Sequence, residues 1–123
     1  MEGEGRILVI DDEPSVADAL CLILEDCGYQ VVVAATGGEG ISHARRARFA
    51  VTITDLRLPD MDGLNVIRAV RETDAKAVVI LVSSHLTPEI SAQAHACGAV
   101  GVIAKPFPPS AILQLISEQS RRR

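Results

Sequence analysis

The chain has 123 residues, of which 48% are apolar and only 2% aromatic, and its formal net charge is −4. That length suits one domain with one sizeable core, and the core must be aliphatic. The acidic balance, with a pI of about 5.3, argues against direct contact with nucleic acid, whose phosphates demand a basic face.

Along the chain, β-like and helix-period segments alternate. Residues 6–10 read as a buried strand, followed at once by Asp11-Asp12-Glu13. Residues 14–27 read as a helix: Pro14 suits a first helical position, Val16, Leu20, Ile23, Leu24 and Cys27 recur at helical spacing, and Gly28 is placed to end it. Residues 29–35 are a β-branched strand. Thr36 with Glu39 forms a capping box that opens a helix to about Arg48, which Gly37 and Gly40 are expected to loosen. Residues 50–54 form the third strand, ended by Asp55. The turn-rich run Leu58-Pro59-Asp60-Met61-Asp62-Gly63 then leads into a helix carrying Leu64, Ile67 and Val70. Residues 77–82 are continuously apolar, as in a strand covered on both faces, and Ser83 follows. Thr87-Pro88 opens a helix with Ile90, Ala94 and Cys97 on one side and Gly98 as its stop. Residues 100–104 form the last strand, ended by Lys105-Pro106. Pro108-Pro109-Ser110 opens the final helix, with Ile112, Leu113, Leu115 and Ile116.

Five β/α units in strict alternation predict a parallel sheet with helices on both faces. In such a sheet the carboxyl ends of the strands meet in one crevice. Asp11, Asp12, Asp55, Ser83 and Lys105 all fall at strand ends, so all are expected there. Crowded carboxylates repel unless a cation sits among them. Magnesium suits them, because it takes one or two carboxylates together with waters and phosphate oxygens. Asp55, directly after its strand, can act as a nucleophile toward phosphorus and give an acyl phosphate. Lys105, biased toward extended geometry by Pro106, can aim its ammonium at phosphoryl charge, and the Ser83 hydroxyl can bond a phosphoryl oxygen. His43, His85 and His95 lack ligand spacing. Cys21, Cys27 and Cys97 are odd in number and lack metal spacing, and read as reduced packing residues.

No apolar run approaches the roughly 18 residues needed to cross a bilayer. The N-terminal stretch lacks the apolar segment of a signal peptide. A cytoplasmic protein without a membrane partner is expected.

Jointly, Val9-Ile10-Asp11-Asp12-Glu13, the run from Thr54-Asp55 to Asp62-Gly63, Ile80-Leu81-Val82-Ser83-Ser84 and Lys105-Pro106-Phe107 resemble a bacterial two-component response-regulator receiver domain of the chemotaxis-regulator type. The motifs keep the family's order, and the likeness covers about residues 5 to 120. It implies a flavodoxin-like, doubly wound (βα)5 fold with strand order 2-1-3-4-5. Residues 6–120 are then the receiver, 1–5 a flexible N-terminus, and 121–123 a tail or the start of a linker. The resemblance further implies that Asp55 accepts a phosphoryl group from a sensor histidine kinase or a phosphotransfer protein. Magnesium would be held directly by Asp12, Asp55 and the backbone carbonyl of Arg57, and by Asp11 through a water. Lys105 would pair with the phosphoryl group, after a cis bond to Pro106. Ser83 would swing toward it and draw along the following loop, shifting the surface of the fourth helix, fifth strand and fifth helix. An output domain or downstream protein would read that surface, and a phosphorylation-dependent homodimer is compatible with it. Such a domain promotes its own phosphotransfer and dephosphorylation without being a free-standing enzyme.

Some positions depart from the family pattern. Val102 stands where the switch aromatic usually is, so coupled rotation of an aromatic with Ser83 is impossible. Ser84 replaces the more usual Ala or Gly. Arg57 and His85 occupy the two variable positions beside the site and are expected to set the lifetime of the phosphorylated state. Arg57 can also form a salt bridge across the mouth when no phosphate is bound. Three other readings compete. An aspartyl-phosphate phosphatase of the haloacid-dehalogenase type wants a second Asp two residues after the nucleophile, where Arg57 stands. A flavodoxin-like cofactor binder would have its phosphate repelled by Asp11-Asp12-Glu13. A degenerate receiver acting as a scaffold is favoured by Val102 and opposed by the intact acidic, hydroxyl and lysine set.

Overall fold

The structure is a computed structural model that describes residues 5–121. The elements are β1 (Arg6–Ile10), α1 (Pro14–Asp26), β2 (Gln30–Ala34), α2 (Gly37–Arg46), β3 (Val51–Asp55), α3 (Gly63–Thr73), β4 (Val79–Ser83), α4 (Pro88–Cys97), β5 (Gly101–Ala104) and α5 (Pro109–Arg121). All strand pairs are parallel, and the sheet order is β2-β1-β3-β4-β5. The chain steps outward from β1 to β2 and returns past β1 to β3. The reversal opens a crevice between the carboxyl ends of β1 and β3.

The sheet is covered on both faces, and β1 shows how. Ile7, Leu8, Val9 and Ile10 are all fully buried. Alternate side chains of a strand point to opposite faces. Accordingly, Leu8 and Ile10 join a cluster with Leu64, Ile67 and Val70 of α3 and Ala94 of α4. Ile7 and Val9 join another with Leu20 and Leu24 of α1 and Ile112 and Ile116 of α5. β3 and β4 divide the same way: Val51, Ile53, Ile80 and Val82 face α1 and α5, while Val79 and Leu81 face the other helices. The continuous apolar runs of the sequence are thus the signature of a two-sided burial.

Helix ends follow the capping residues. α1 starts with Pro14 and closes at Gly28. The Tyr29 amide donates to the Leu24 carbonyl and the Gly28 amide to the Glu25 carbonyl, a Schellman closure that needs the left-handed φ of +93° at Gly28. That closure ends the helix at Asp26 and leaves Cys27 exposed, so Cys27 is not the packing residue its spacing suggests. Cys21, Cys27 and Cys97 are all free thiols. Thr36 and Thr87 cap α2 and α4, accepting from the amides of Glu39 and Ile90. The two glycines expected to loosen α2 have a packing role. Gly37 and Gly40 are buried, and a Cβ on either would stand 2.4 Å from Met61 Cγ or 2.3 Å from Ile10 Cδ1. Their low helix propensity is offset by close packing.

Candidate functional site

The site is built at the carboxyl ends of β1, β3, β4 and β5. Strands β3 and β4 each run one residue beyond their expected ends, so Asp55 and Ser83 are themselves on the ladder, opposite Val82 and Ala104. The flanking backbone is tied to the sheet as well. The Asp11 amide donates to the Ala34 carbonyl at 3.0 Å, the Leu56 amide to Val82 at 3.2 Å, and the Lys105 amide to Ser83 at 2.8 Å. The functional side chains therefore leave from a rigid frame.

Asp11 and Asp55 are 3% and 6% exposed, and Ser83 is 1% exposed, whereas Asp12 lies open to solvent. Buried carboxylates need partners, and Lys105 supplies one. Its Nζ lies 2.9 Å from Asp11 Oδ2, 3.2 Å from Asp55 Oδ2 and 3.6 Å from Glu13 Oε1. The bond between Lys105 and Pro106 is cis. The second oxygens are held by backbone: Asp11 Oδ1 accepts from the Glu13 amide at 2.9 Å, and Asp55 Oδ1 from the Leu56 amide at 2.8 Å. Burial pushes the Asp55 carboxyl above its usual range, Lys105 opposes that shift, and the charge of Asp11 adds to it. Burial pulls Lys105 down, but its bonds and charge pairing with Asp11 and then Asp55 outweigh this and hold it above its usual value.

Asp11, Asp12 and Asp55 each offer a carboxylate oxygen, all within 4.8 Å of one another. Hard oxygen donors at that spacing fit magnesium or calcium and do not fit soft metals. Ser83 Oγ does not face the carboxylates through a bond of its own. It accepts the His85 amide at 3.0 Å, pinning the start of the loop after β4. The Arg57 side chain is exposed, and among the described residues the salt bridges at the mouth are made by Lys105 rather than Arg57. Val102 is half-buried against the cluster under α2, α3 and α4.

Three residues that shape the site stood unassigned within the turn-rich run. A Cβ on Gly63 would come 2.2 Å from the Asp55 carbonyl oxygen, so only glycine lets α3 start against the end of β3. Asp62 caps α3, accepting from the Leu64 amide at 2.7 Å. Asp60 reaches across to α2, where Oδ1 accepts from the Gly37 amide at 2.8 Å and Oδ2 from the Gly38 amide at 2.9 Å. Those two amides hold the Asp60 carboxyl below its usual range, Gly38 contributing most. The signal available in the sequence was the pair Gly37-Gly38 at a helix start, which propensity disfavours and close approach explains.

The sheet order and the acidic crevice define a flavodoxin-like, doubly wound α/β protein. The chain belongs to the response regulator receiver domain family, which it matches over residues 7–117, and is thus a receiver of two-component systems. A response regulator receiver protein of Anaeromyxobacter sp. is 33% identical over 110 residues, covering 89% of this chain and 46% of that protein. The chain spans about half the length of the curated relatives it matches. The crystal structure of a CheY-like receiver domain protein from Methanospirillum hungatei superposes with a TM-score of 0.91 at 32% identity, over 95% of this chain and 94% of that one. A response regulator from Burkholderia pseudomallei, crystallised with a phosphorylated aspartic acid, a calcium ion and citrate, gives 0.85 at 28% identity, over 95% and 71%. Among the described residues no helix is long and apolar enough to cross a membrane.

Proposed function

We propose that this domain is a phosphoacceptor switch in which Asp55 takes a phosphoryl group from the phosphohistidine of a sensor kinase or phosphotransfer protein. The observation that carries the reading is the placement of Lys105 between Asp11 and Asp55, at 2.9 and 3.2 Å, beside a three-carboxylate cluster. The phosphorylated aspartate of the Burkholderia relative supports it.

In the transfer, an Asp55 carboxylate oxygen bonds to phosphorus, the phosphorus–nitrogen bond of the donor breaks, and the imidazole leaves with its electron pair and takes up a proton. Lys105 meets the charge of the phosphoryl oxygens from a position already fixed by its carboxylate partners. Asp11, Asp12, Asp55 and the carbonyl of Arg57 are the residues that would hold magnesium. When bound, it neutralises the carboxylates and the phosphoryl oxygens. A groove of about 500 Å³ between α1 and the loop after β5 opens beside Lys105. Val16, Ala19, Ile23 and Phe107 line it, giving a donor an apolar bed next to the acceptor.

The Ser83 hydroxyl is the natural donor to a phosphoryl oxygen. Swinging toward it gives up the 3.0 Å bond from the His85 amide and frees the loop before α4. With Val102 at the aromatic switch position, the shift passes through that loop to the α4–β5–α5 surface. The domain then acts as a switched interaction module in the cytoplasm, dephosphorylating itself, with no direct nucleic-acid or membrane contact. An output domain or downstream protein reads the surface, and a phosphorylation-dependent homodimer is one form of that reading. With magnesium and a small phosphoryl donor the protein should gain one acid-stable, base-labile phosphate, and Asp55→Asn should remove it. Unchanged labelling of that variant would exclude Asp55 as the acceptor.

A further inference from the structure

The metal ligands proposed above come from the ends of two neighbouring strands and the loops that follow them. Asp11 and Asp12 follow β1, Asp55 closes β3, and Arg57 lies two residues beyond it in the β3–α3 loop. The β1–β3 ladder sets Asp55 beside Asp11 through its Ile10–Thr54 pair, but the loop that carries Arg57 runs beyond that pairing. Within itself the loop is held by the Leu58 amide on the Met61 carbonyl, by the Gly63 amide on the Leu56 carbonyl, and by a bridge between Arg57 and Asp62. None of these bonds crosses to the β1 side.

Asp60 does cross. Both of its carboxylate oxygens are occupied by consecutive amides at the start of α2, 22 and 23 residues away in sequence. The geometry is two-pronged, which fixes direction as well as distance. Beside it, Met61 lies in the space that a Cβ on Gly37 would need. Helix α2 is in turn seated on β1 through Gly40 and Ile10, and Ile10 immediately precedes Asp11. A closed chain of contacts thus runs from the loop after Asp55, through Asp60, along the first turn of α2 and back to the residue before the acidic pair.

We propose that Asp60 is a positioning residue for the phosphoacceptor site, tethering the β3–α3 loop to the first turn of α2 so that the Arg57 carbonyl stays in register with Asp55, Asp11 and Asp12. This rests on the metal-site reading above. A tether of this kind acts on a metal site as other outer groups do, by fixing the orientation of the ligands it does not itself replace. The helix start has a separate cap in Thr36, whose hydroxyl accepts the Glu39 amide at 3.1 Å. The loop-holding and helix-capping roles can therefore be separated by mutation.

The test compares Asp60→Ala, Asp60→Asn and Thr36→Ala with the parent domain, using magnesium alone as the probe. Backbone amide exchange and magnesium titration are followed by NMR. Asp60→Ala should speed exchange at Gly37, Gly38, Leu58 and Gly63 and weaken magnesium binding by about tenfold. Asp60→Asn, which keeps one acceptor oxygen, should fall between. Thr36→Ala should lower the melting temperature while leaving magnesium affinity unchanged. Equal affinity of the parent and Asp60→Ala overturns the proposal, and so does an equal weakening by Thr36→Ala. If the parent itself binds no magnesium, the metal-site reading fails. The tether is then judged on the Leu58 and Gly63 amides alone, where unchanged exchange in Asp60→Ala overturns it.

Discussion

The interior of the sheet and its carboxyl edge are adjacent on β1 and β3 and obey opposite physics. On β1, four fully buried aliphatic residues are followed directly by the buried carboxylate of Asp11. On β3, Ile53 packs against α1 and α5, while Asp55, two residues on, is held against Lys105. The interior gains stability from every apolar atom it removes from water. The edge gathers like charges at low exposure, which costs stability that Lys105 offsets only in part. One strand thus serves as structural beam and as charged edge, and the changeover takes one or two residues. Removing side chains from the interior should harm folding and spare chemistry. Removing charge from the edge should do the reverse.

The largest expected effect is complete loss of phosphoryl labelling in Asp55→Asn, with the fold intact by circular dichroism. Next, Leu20→Ala in the α1 contact should cost about 2–5 kcal/mol in denaturant unfolding, while the folded fraction is still labelled at Asp55. Labelling lost in step with that destabilisation would erase the distinction between interior and edge. Lys105→Ala should come third. It leaves Asp11 and Asp55 without their shared cation, so melting should fall without magnesium and recover when magnesium is added. No recovery would mean that the lysine supports packing rather than charge balance.

The pH response sharpens the same contrast. The Asp55 carboxyl is raised by burial, so the folded state keeps its proton to higher pH than the unfolded chain, and stability falls as pH rises through that window. Asp55→Asn should therefore melt higher than the parent at neutral pH without magnesium, with the gap closing at strongly acidic pH. Lys105 is raised by Asp11 and Asp55 against the pull of burial, so its contribution is complete below its ordinary pKa and is lost only at alkaline pH. A parent that melts above Asp55→Asn at neutral pH would contradict the picture of a costly edge. The smallest effect expected is that of Asp62→Ala, about 1 kcal/mol for a lost helix cap, read by the same unfolding measurement.

Much of the fold was legible because local signals and global burial agree. Thr36, Thr87 and Gly28 mark helix ends by backbone chemistry that operates within a few residues. The residues gathered in the crevice were legible because each stands at the end of an apolar strand. Two kinds of feature were not. Gly37 and Gly40 read as weak points, since propensity concerns an isolated helix and cannot register that Met61 and Ile10 need the space. The reach of Asp60 to α2 joins residues more than twenty positions apart, and nothing local distinguishes it from an ordinary turn aspartate. The mouth pairing of Lys105 with Glu13, in place of Arg57, depends in the same way on three-dimensional distance.

One further consequence follows from the rung on which the Lys105 amide hangs from the Ser83 carbonyl. The hydroxyl and the ammonium belong to neighbouring strands, yet they share a single hinge pin. A shift of the backbone at either residue therefore reaches the other through one short bond.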